Sequence, residues 1–344
     1  MIIAIVLTIS LAGQQQPPTQ QPPTPPPATP TDVAPTSNPS LDPQRTQALA
    51  IQVALDRAGF SPGALDGSTG KNTKKALNAH RKANGGDPQP AEPLMRYRIT
   101  EQDAAGPFEP EIPGDLVEQA QLKTLSYRNL QELLAERFHS TPAFLKRLNP
   151  QAAFAAGEEI WVPNVDPMLI PATPAKPDAP KSAAEKKAAT ADKKAEAAAA
   201  KAEADAKPDV TVSVSKSDSA VRVTDANGKV LLYAPVTTGS EQDPLTLGKW
   251  KVNGVSLNPP FRYNPDLFWD ADPTHTKTVI PPGPNNPVGL VWIDISKEHY
   301  GLHGTPEPST IGRTESHGCV RLTNWDALRL SALVKPGTPV IFEL

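Results

Sequence analysis

Residues 210–236 read VTVSVSKSDSAVRVTDANGKVLLYAPV, and this stretch decides the fold class of the C-terminal part of the chain. Thr211 to Val214 and Val221 to Val223 alternate apolar and polar side chains, the period of a strand with one face buried. Asn227-Gly228 follows, the strongest short-range hairpin signal, because both residue types tolerate the positive φ that a tight two-residue turn demands. Further downstream, Trp250 to Val255 and Leu290 to Ile295 read as strands. Thr323-Asn324-Trp325-Asp326 reads as a capping box that opens a helix through Leu328 to Val334. Lys335-Pro336-Gly337 stops that helix, and Val340-Ile341-Phe342 gives a last strand. Residues 209–344 are therefore expected to form one mostly β, sandwich-like domain with a short C-terminal helix.

Working upstream, the composition changes abruptly. Residues 167–208 turn from Pro-rich to almost wholly Ala, Lys, Glu and Asp, which favours helix but offers no large apolar face, so they read as a semi-rigid spacer. Residues 115–166 hold two short amphipathic helices. One runs through Leu130, Leu133, Leu134 and Phe138, and the other follows Thr141-Pro142 through Phe144, Leu145 and Leu148. A strand at Ile160-Trp161-Val162-Pro163 closes the unit. Residues 87–114 are Pro-rich and read as a linker. Residues 44–86 read as two helices around a loop punctuated by Ser61-Pro62-Gly63 and Asp66-Gly67. Residues 13–43 are Pro, Gln, Thr and Ser, a solvated tether. Residues 1–12 form a short apolar run ending with Ser10 and Ala12 at the −3 and −1 positions of a cleavage site, which reads as a secretory signal with no basic residue ahead of it. The expected location is accordingly outside the cytoplasm.

Composition agrees with this modular reading. Proline numbers 41 in 344 residues and aromatics make up only 5%, too much and too little for one continuous core. A net charge of −3 gives no basic footprint for nucleic acid. No apolar run reaches the roughly 18 residues a membrane span needs, so no span is expected in the mature chain.

The chemistry concentrates near the C-terminus. There is one cysteine, Cys319, in Ser316-His317-Gly318-Cys319-Val320-Arg321, so no intrachain disulfide exists, and a lone thiol in an exported protein draws attention as reactive. Three of the six histidines, His299, His303 and His317, lie close by in sequence. A thiol attacks a carbonyl as its thiolate, and an imidazole both favours that form and shuttles the proton. His303 sits on a separate segment, Tyr300-Gly301-Leu302-His303-Gly304-Thr305, that can fold across to the thiol, and is preferred as the base. His317 is read as shaping the pocket. Gly318 permits close backbone approach, and consecutive N–H groups there can form an oxyanion hole. Arg321 favours thiolate and can grip a substrate carboxylate. A zinc site built from His299, His303, His317 and Cys319 is the rival, as is an inert structural cysteine. The scattered spacing lacks a zinc signature, so no metal and no organic cofactor is expected.

These residues carry a resemblance. Residues 210–344 resemble the catalytic domain of the YkuD-type L,D-transpeptidases of the bacterial cell wall. The carrying motif is His303-Gly304-Thr305, with twelve residues separating His303 from Ser316-His317-Gly318-Cys319-Val320-Arg321-Leu322. Thr238-Gly239, Gly248-Lys249-Trp250 and Pro284-Asn285-Asn286-Pro287-Val288-Gly289 add to it, while Thr246-Leu247-Gly248 departs from the family's Thr-Pro-Gly. The resemblance implies a Cys319 nucleophile, a His303 acid/base oriented by the Gly304 carbonyl, and an oxyanion pocket drawn from Ser316, His317, Gly318 and Gly304. It also implies peptidoglycan stem peptides as substrate, in the periplasm or cell envelope of a bacterium, with D-alanine released and the acyl group passed to an amine. A peptidoglycan carboxypeptidase or amidase, and a catalytically silent wall anchor, remain open.

Two lesser resemblances lie upstream. Residues 44–86 are similar to a peptidoglycan-binding helical domain through Gln52 to Leu55, Gly59-Phe60, Leu65-Asp66-Gly67, Gly70, Thr73 and Ala76-Leu77, with His80-Arg81 where that family has an aromatic-Gln pair. Residues 115–166 are similar to a LysM glycan-binding module. Both imply glycan as a partner; the oligomeric state is left open.

Overall fold

The protein is described here by a computed structural model covering residues 41–171 and 206–344. The expected secretory signal, most of the expected Pro-rich tether and most of the expected Ala/Lys-rich spacer lie outside these residues. Among the described residues, no helix is long and apolar enough to cross a membrane.

The chain begins with α1 (Pro43–Arg57) and α2 (Lys71–Asn84). Asp42 caps α1 by accepting from the Arg45 amide, and Gly85, with φ of 77°, ends α2 in the left-handed conformation that glycine adopts without strain. The loop between the helices is latched by buried Gln52. Its Oε1 accepts from the Asp66 and Gly67 amides at 3.2 and 2.8 Å, and its Nε2 donates to Asp66 Oδ1, the Ser68 carbonyl and Thr73. His80 is used structurally: Nδ1 donates to the Gly86 carbonyl at 2.9 Å, and its ring meets Phe60 edge-on at 5.0 Å.

The middle region departs from expectation. Strand β1 (Leu94–Arg98) lies inside the expected 87–114 linker and pairs antiparallel with β2 (Glu159–Pro163). It is followed by α3 (Glu101–Ala104), α4 (Leu116–Gln119), α5 (Leu130–Arg137) and α6 (Pro142–Leu148). Pro88, Pro90 and Pro93 before the strand, and Pro107, Pro110 and Pro113 after it, hid five residues whose partner strand is some sixty positions away. Leu133, Leu134, Phe138, Phe144, Leu145 and Leu148 fill the core beneath this two-stranded sheet.

The C-terminal domain contains β3 (Val210–Ser215), β4 (Ala220–Asp225), β5 (Val230–Pro235), β6 (Gly248–Leu257), β7 (Phe261–Tyr263), β8 (Thr278–Ile280), β9 (Val291–Ile295), β10 (Gly301–His303), β11 (Val320–Arg321), α7 (Asn324–Leu333) and β12 (Pro339–Glu343). Eight strands make a single sheet in the order β11-β10-β9-β6-β12-β3-β4-β5. The expected sandwich is this one sheet curled on itself. The first part of β6 pairs with β12 and the second with β9, and the register shifts between Val252 and Gly254 where it changes partners. Such an irregularity increases local twist and bends the strand. The hairpin at Asn227-Gly228 forms, with Gly228 at φ 80°. Thr323 caps α7, accepting from the Asp326 amide at 3.2 Å, while Asp326 Oδ2 accepts from the hydroxyls of Thr323 and Ser61, both at 2.8 Å. The apolar face of α7 closes the concave side of the sheet through buried Trp325, Ala327 and Leu330.

The upstream units pack directly on this domain. Residues 59–61 extend the edge of β5, Tyr233 N donating to the Gly59 carbonyl and Ser61 N to the Tyr233 carbonyl, both at 2.8 Å. That contact satisfies a sheet edge that would otherwise be open. Buried Asp56 of α1 takes a two-pronged ion pair from Arg329 of α7, at 2.9 and 2.8 Å, and a hydrogen bond from His139 at 3.1 Å. Burial opposes the Asp56 charge, but His139 and Arg329 hold its carboxyl well below the usual range. Leu125 exchanges backbone bonds with Pro282 and Asn285, each at 2.9 Å.

Candidate active site

His303 ends β10, and Cys319 immediately precedes β11, which runs parallel to β10 with Leu302 opposite Val320 and His303 opposite Arg321. Strand pairing thus brings together the two halves of the motif that the sequence separates. The His303 ring is buried and stacks on Trp292 with centroids 5.5 Å apart. Its Nδ1 lies 2.7 Å from the Gly304 carbonyl oxygen. A carbonyl only accepts, so Nδ1 carries the hydrogen and, in the neutral ring, Nε2 carries the free lone pair. Burial, aided by the Arg321 charge and opposed by the Gly304 bond, pushes His303 down to about 3. The imidazole is therefore neutral across the physiological range, with its basic nitrogen unspent.

Cys319 is half-buried, and its thiol donates to the His299 carbonyl at 3.7 Å. Burial pushes the thiol up, against the pull of the Gly301 amide and the Arg321 charge. The sulfur is thus cradled by the turn 299–301, where His299 takes φ of 62°, a left-handed conformation unusual outside glycine. Gly301 is required there, because an added Cβ would come within 2.6 Å of the Trp292 indole.

The loop before the cysteine is pinned on one side. Ser316 N donates to the Thr238 carbonyl at 3.0 Å, Ser240 N to the Ser316 carbonyl at 3.1 Å, and Ser316 Oγ to the Cys319 carbonyl at 2.6 Å. Ser316 therefore shapes the loop, its hydroxyl already engaged. Gly318 has φ of 102°, and an added Cβ would sit 2.9 Å from the Tyr300 hydroxyl. Among the described residues, the amides of His317, Gly318 and Cys319 donate to no acceptor, three consecutive N–H groups beside the sulfur. Gly304 does not add to this set, since its amide donates to the Val291 carbonyl at 3.2 Å. Its contribution is the carbonyl that holds His303.

The His317 side chain meets the segment between β7 and β8. Its Nε2 hydrogen-bonds Asp270 at 2.8 Å, and its ring lies 5.2 Å from Phe268 and 5.8 Å from the exposed Trp269. That segment is braced from below by His275, which bonds Tyr263 at 2.9 Å and Asp115 at 2.8 Å. His299 is exposed, with its side chain near Glu298. Among the described residues, no cluster of His, Cys, Asp or Glu could hold a metal ion. Sequence reasoning missed Trp292, Tyr300 and Asp270. Tyr300 was within the quoted His303 segment, but a phenol next to glycine is no signal until the loop it touches is known.

The pairing of β10 with β11 brings the Cys319 thiol and the neutral His303 imidazole onto neighbouring segments, and comparison with known families bears on the domain that carries them. Residues 209–342 match the family model of the YkuD L,D-transpeptidase catalytic domain. The C-terminal domain is a YkuD-type L,D-transpeptidase domain. The chain is 49% identical over 59 residues to YkuD of Bacillus licheniformis, and 46% identical over 57 residues to YkuD of Bacillus subtilis, both named as L,D-transpeptidases. Each match covers 17% of this chain, and the chain spans about a third of these relatives' length, 36% and 35%. Among solved structures, an L,D-transpeptidase from Mycobacterium smegmatis aligns with TM-score 0.33 and 18% identity, covering 40% of this chain and 59% of that one. The transpeptidase domain accounts for the motif residues; the two upstream units lie outside the matched region.

Proposed function

We propose that the chain is an exported peptidoglycan L,D-transpeptidase in which Cys319 is the nucleophile and His303 the general acid/base. The observation that carries this reading is the commitment of His303 Nδ1 to the Gly304 carbonyl, which leaves Nε2 as a base on the strand paired with β11, the strand that Cys319 immediately precedes. Cys319 Sγ attacks the carbonyl carbon at the third residue of a tetrapeptide stem, and the thiol proton passes to His303 Nε2 as the S–C bond forms. The oxyanion is received by the free amides of residues 317–319. The C–N bond then breaks, and His303 returns the proton to the departing D-alanine amine. In the second half, an amine acceptor, such as the side chain of another stem, attacks the thioester and gives its proton to His303. The Cys319 sulfur leaves as thiolate and recovers that proton.

Arg321 lies opposite His303 in the strand register and favours the developing thiolate. It is also suited to a terminal carboxylate of the stem. The upstream units, if they grip glycan as their resemblances imply, raise the local concentration of stems. Export rests on the apolar run at residues 2–12.

The test is intact mass after incubating the protein with a disaccharide-tetrapeptide. A gain equal to the substrate minus D-alanine, absent in Cys319→Ala, is expected. No adduct and no released D-alanine would favour a silent anchor, and hydrolysed tripeptide alone in the presence of abundant amine would make the protein a carboxypeptidase.

A further inference from the structure

Glu136 in α5 lies outside the transpeptidase domain, is 6% exposed and, among the described residues, makes no ion pair. Its Oε2 takes a 2.6 Å bond from the Tyr127 hydroxyl and its Oε1 a 2.9 Å bond from Asn324 Nδ2. Burial pushes this carboxyl up to about 8, with the Tyr127 and Asn324 bonds opposing. A buried polar group of this kind is costly unless hydrogen-bonding partners satisfy it, and a satisfied pair holds both partners rigidly.

Asn324, the first residue of α7, is such a partner. The Leu290 amide donates to its Oδ1 at 2.9 Å, and an amide can only donate, so the orientation of the carboxamide is set and its NH2 faces Glu136. The same Oδ1 rests against the backbone of Gly289 and Gly304: a Cβ added at either would lie 2.0 Å from it. Gly304 is the residue whose carbonyl holds His303 Nδ1 at 2.7 Å. The contacts run without a gap from Tyr127 through Glu136, Asn324 and Gly304 to His303.

We propose that Glu136 is a positioning residue for the His303 base: by fixing the Asn324 carboxamide against Gly304 it sets the carbonyl that orients the imidazole, so the helical unit upstream completes the transpeptidase active site. This rests on the reading of His303 as base and Cys319 as nucleophile.

The experiment is single-turnover release of D-alanine from a disaccharide-tetrapeptide by the full chain, as a function of substrate concentration, with melting temperature recorded for each variant. Glu136→Ala should lower the limiting rate roughly ten- to hundred-fold with little change in half-saturation, the signature of a misplaced catalytic group. Glu136→Gln should recover the rate to within about three-fold, because its carbonyl accepts from Asn324 and its NH2 meets the Tyr127 oxygen. A purely structural role would not separate these variants once each is folded. A folded Glu136→Ala with the wild-type limiting rate overturns the proposal, as does a folded Glu136→Gln as slow as Glu136→Ala. If Glu136→Ala does not fold, Tyr127→Phe decides: a loss of limiting rate supports the proposal, and an unchanged rate overturns it. His303→Ala, assayed alongside, separates the two levels, since an unchanged rate there removes the base itself rather than its support.

Discussion

Burial holds the His303 imidazole neutral and pushes the Cys319 thiol up, so in the proposed mechanism the proton moves as substrate is attacked instead of resting in a preformed ion pair. Two consequences follow at this scale. Alkylation of Cys319 by iodoacetamide should climb through the alkaline range without a plateau near neutrality, because burial raises the thiol; a plateau below pH 7 would mean a thiolate–imidazolium pair. Stability should also depend on His303. Its folded pKa of about 3 lies below the unfolded value of 6.5, so the unfolded chain binds the extra proton and stability is lost as pH falls from about 6.5 toward 3. A melting-temperature series in wild type and His303→Gln, the variant lacking that slope, checks it. Cys319→Ala should abolish acyl transfer while leaving the melting temperature within a few degrees, since one small thiol is removed. The residues behind these predictions were legible in sequence, because the two halves of the motif are local patterns of unusual composition. The direction of the His317 side chain was not: it is set by Asp270 and Phe268, which are some fifty residues away.

At the scale of elements, the strands with alternating residues, the Asn-Gly hairpin and the capped final helix all appear as their sequences require. Strand β1 was illegible, because five residues among prolines become a strand only when residues 159–163 arrive to pair with them. The contact of residues 124–126 with 282–285 was equally hidden. There the Pro284 to Gly289 segment, a family feature in sequence, proves to be the seat of the middle unit. Gly283, with φ of 147°, faces the Leu125 carbonyl so closely that an added Cβ would lie 2.2 Å from its oxygen. Gly283→Ala should therefore lower hydrogen-exchange protection at the Leu125 and Asn285 amides while protection in β3 and β4 is kept. Equal loss in all strands would mean the contact is not separable from the fold. Within α5, Glu136 keeps a proton that the unfolded chain loses above its ordinary value of 4.5, so stability falls as pH rises from about 4.5 to 8. Glu136→Gln should flatten the part of that fall between pH 6.5 and 8, read as melting temperature.

On the scale of the whole molecule, the sequence suggests beads on a string, whereas residues 41–171 and 206–344 share buried surfaces. Asp56, His139, Arg329 and Trp325 meet at one junction, with His139 stacked on Trp325 at 5.3 Å, although Asp56 and Arg329 are 273 residues apart. No single-sequence pattern announces a pairing at that distance. Calorimetry should accordingly show one cooperative transition, and Asp56→Ala, which strands Arg329 and His139 without their acceptor, should cost about 3 kcal/mol. Two well-separated transitions in the wild type would contradict the shared core. The same junction sets a timetable for synthesis. The carboxylates of Asp56 and Glu136 leave the ribosome long before Arg329 and Asn324 exist, so the upstream helices wait, incompletely docked, until α7 emerges. Removing α7 and β12 should then be felt most in α1 and α5, as upstream helices that a protease cuts readily.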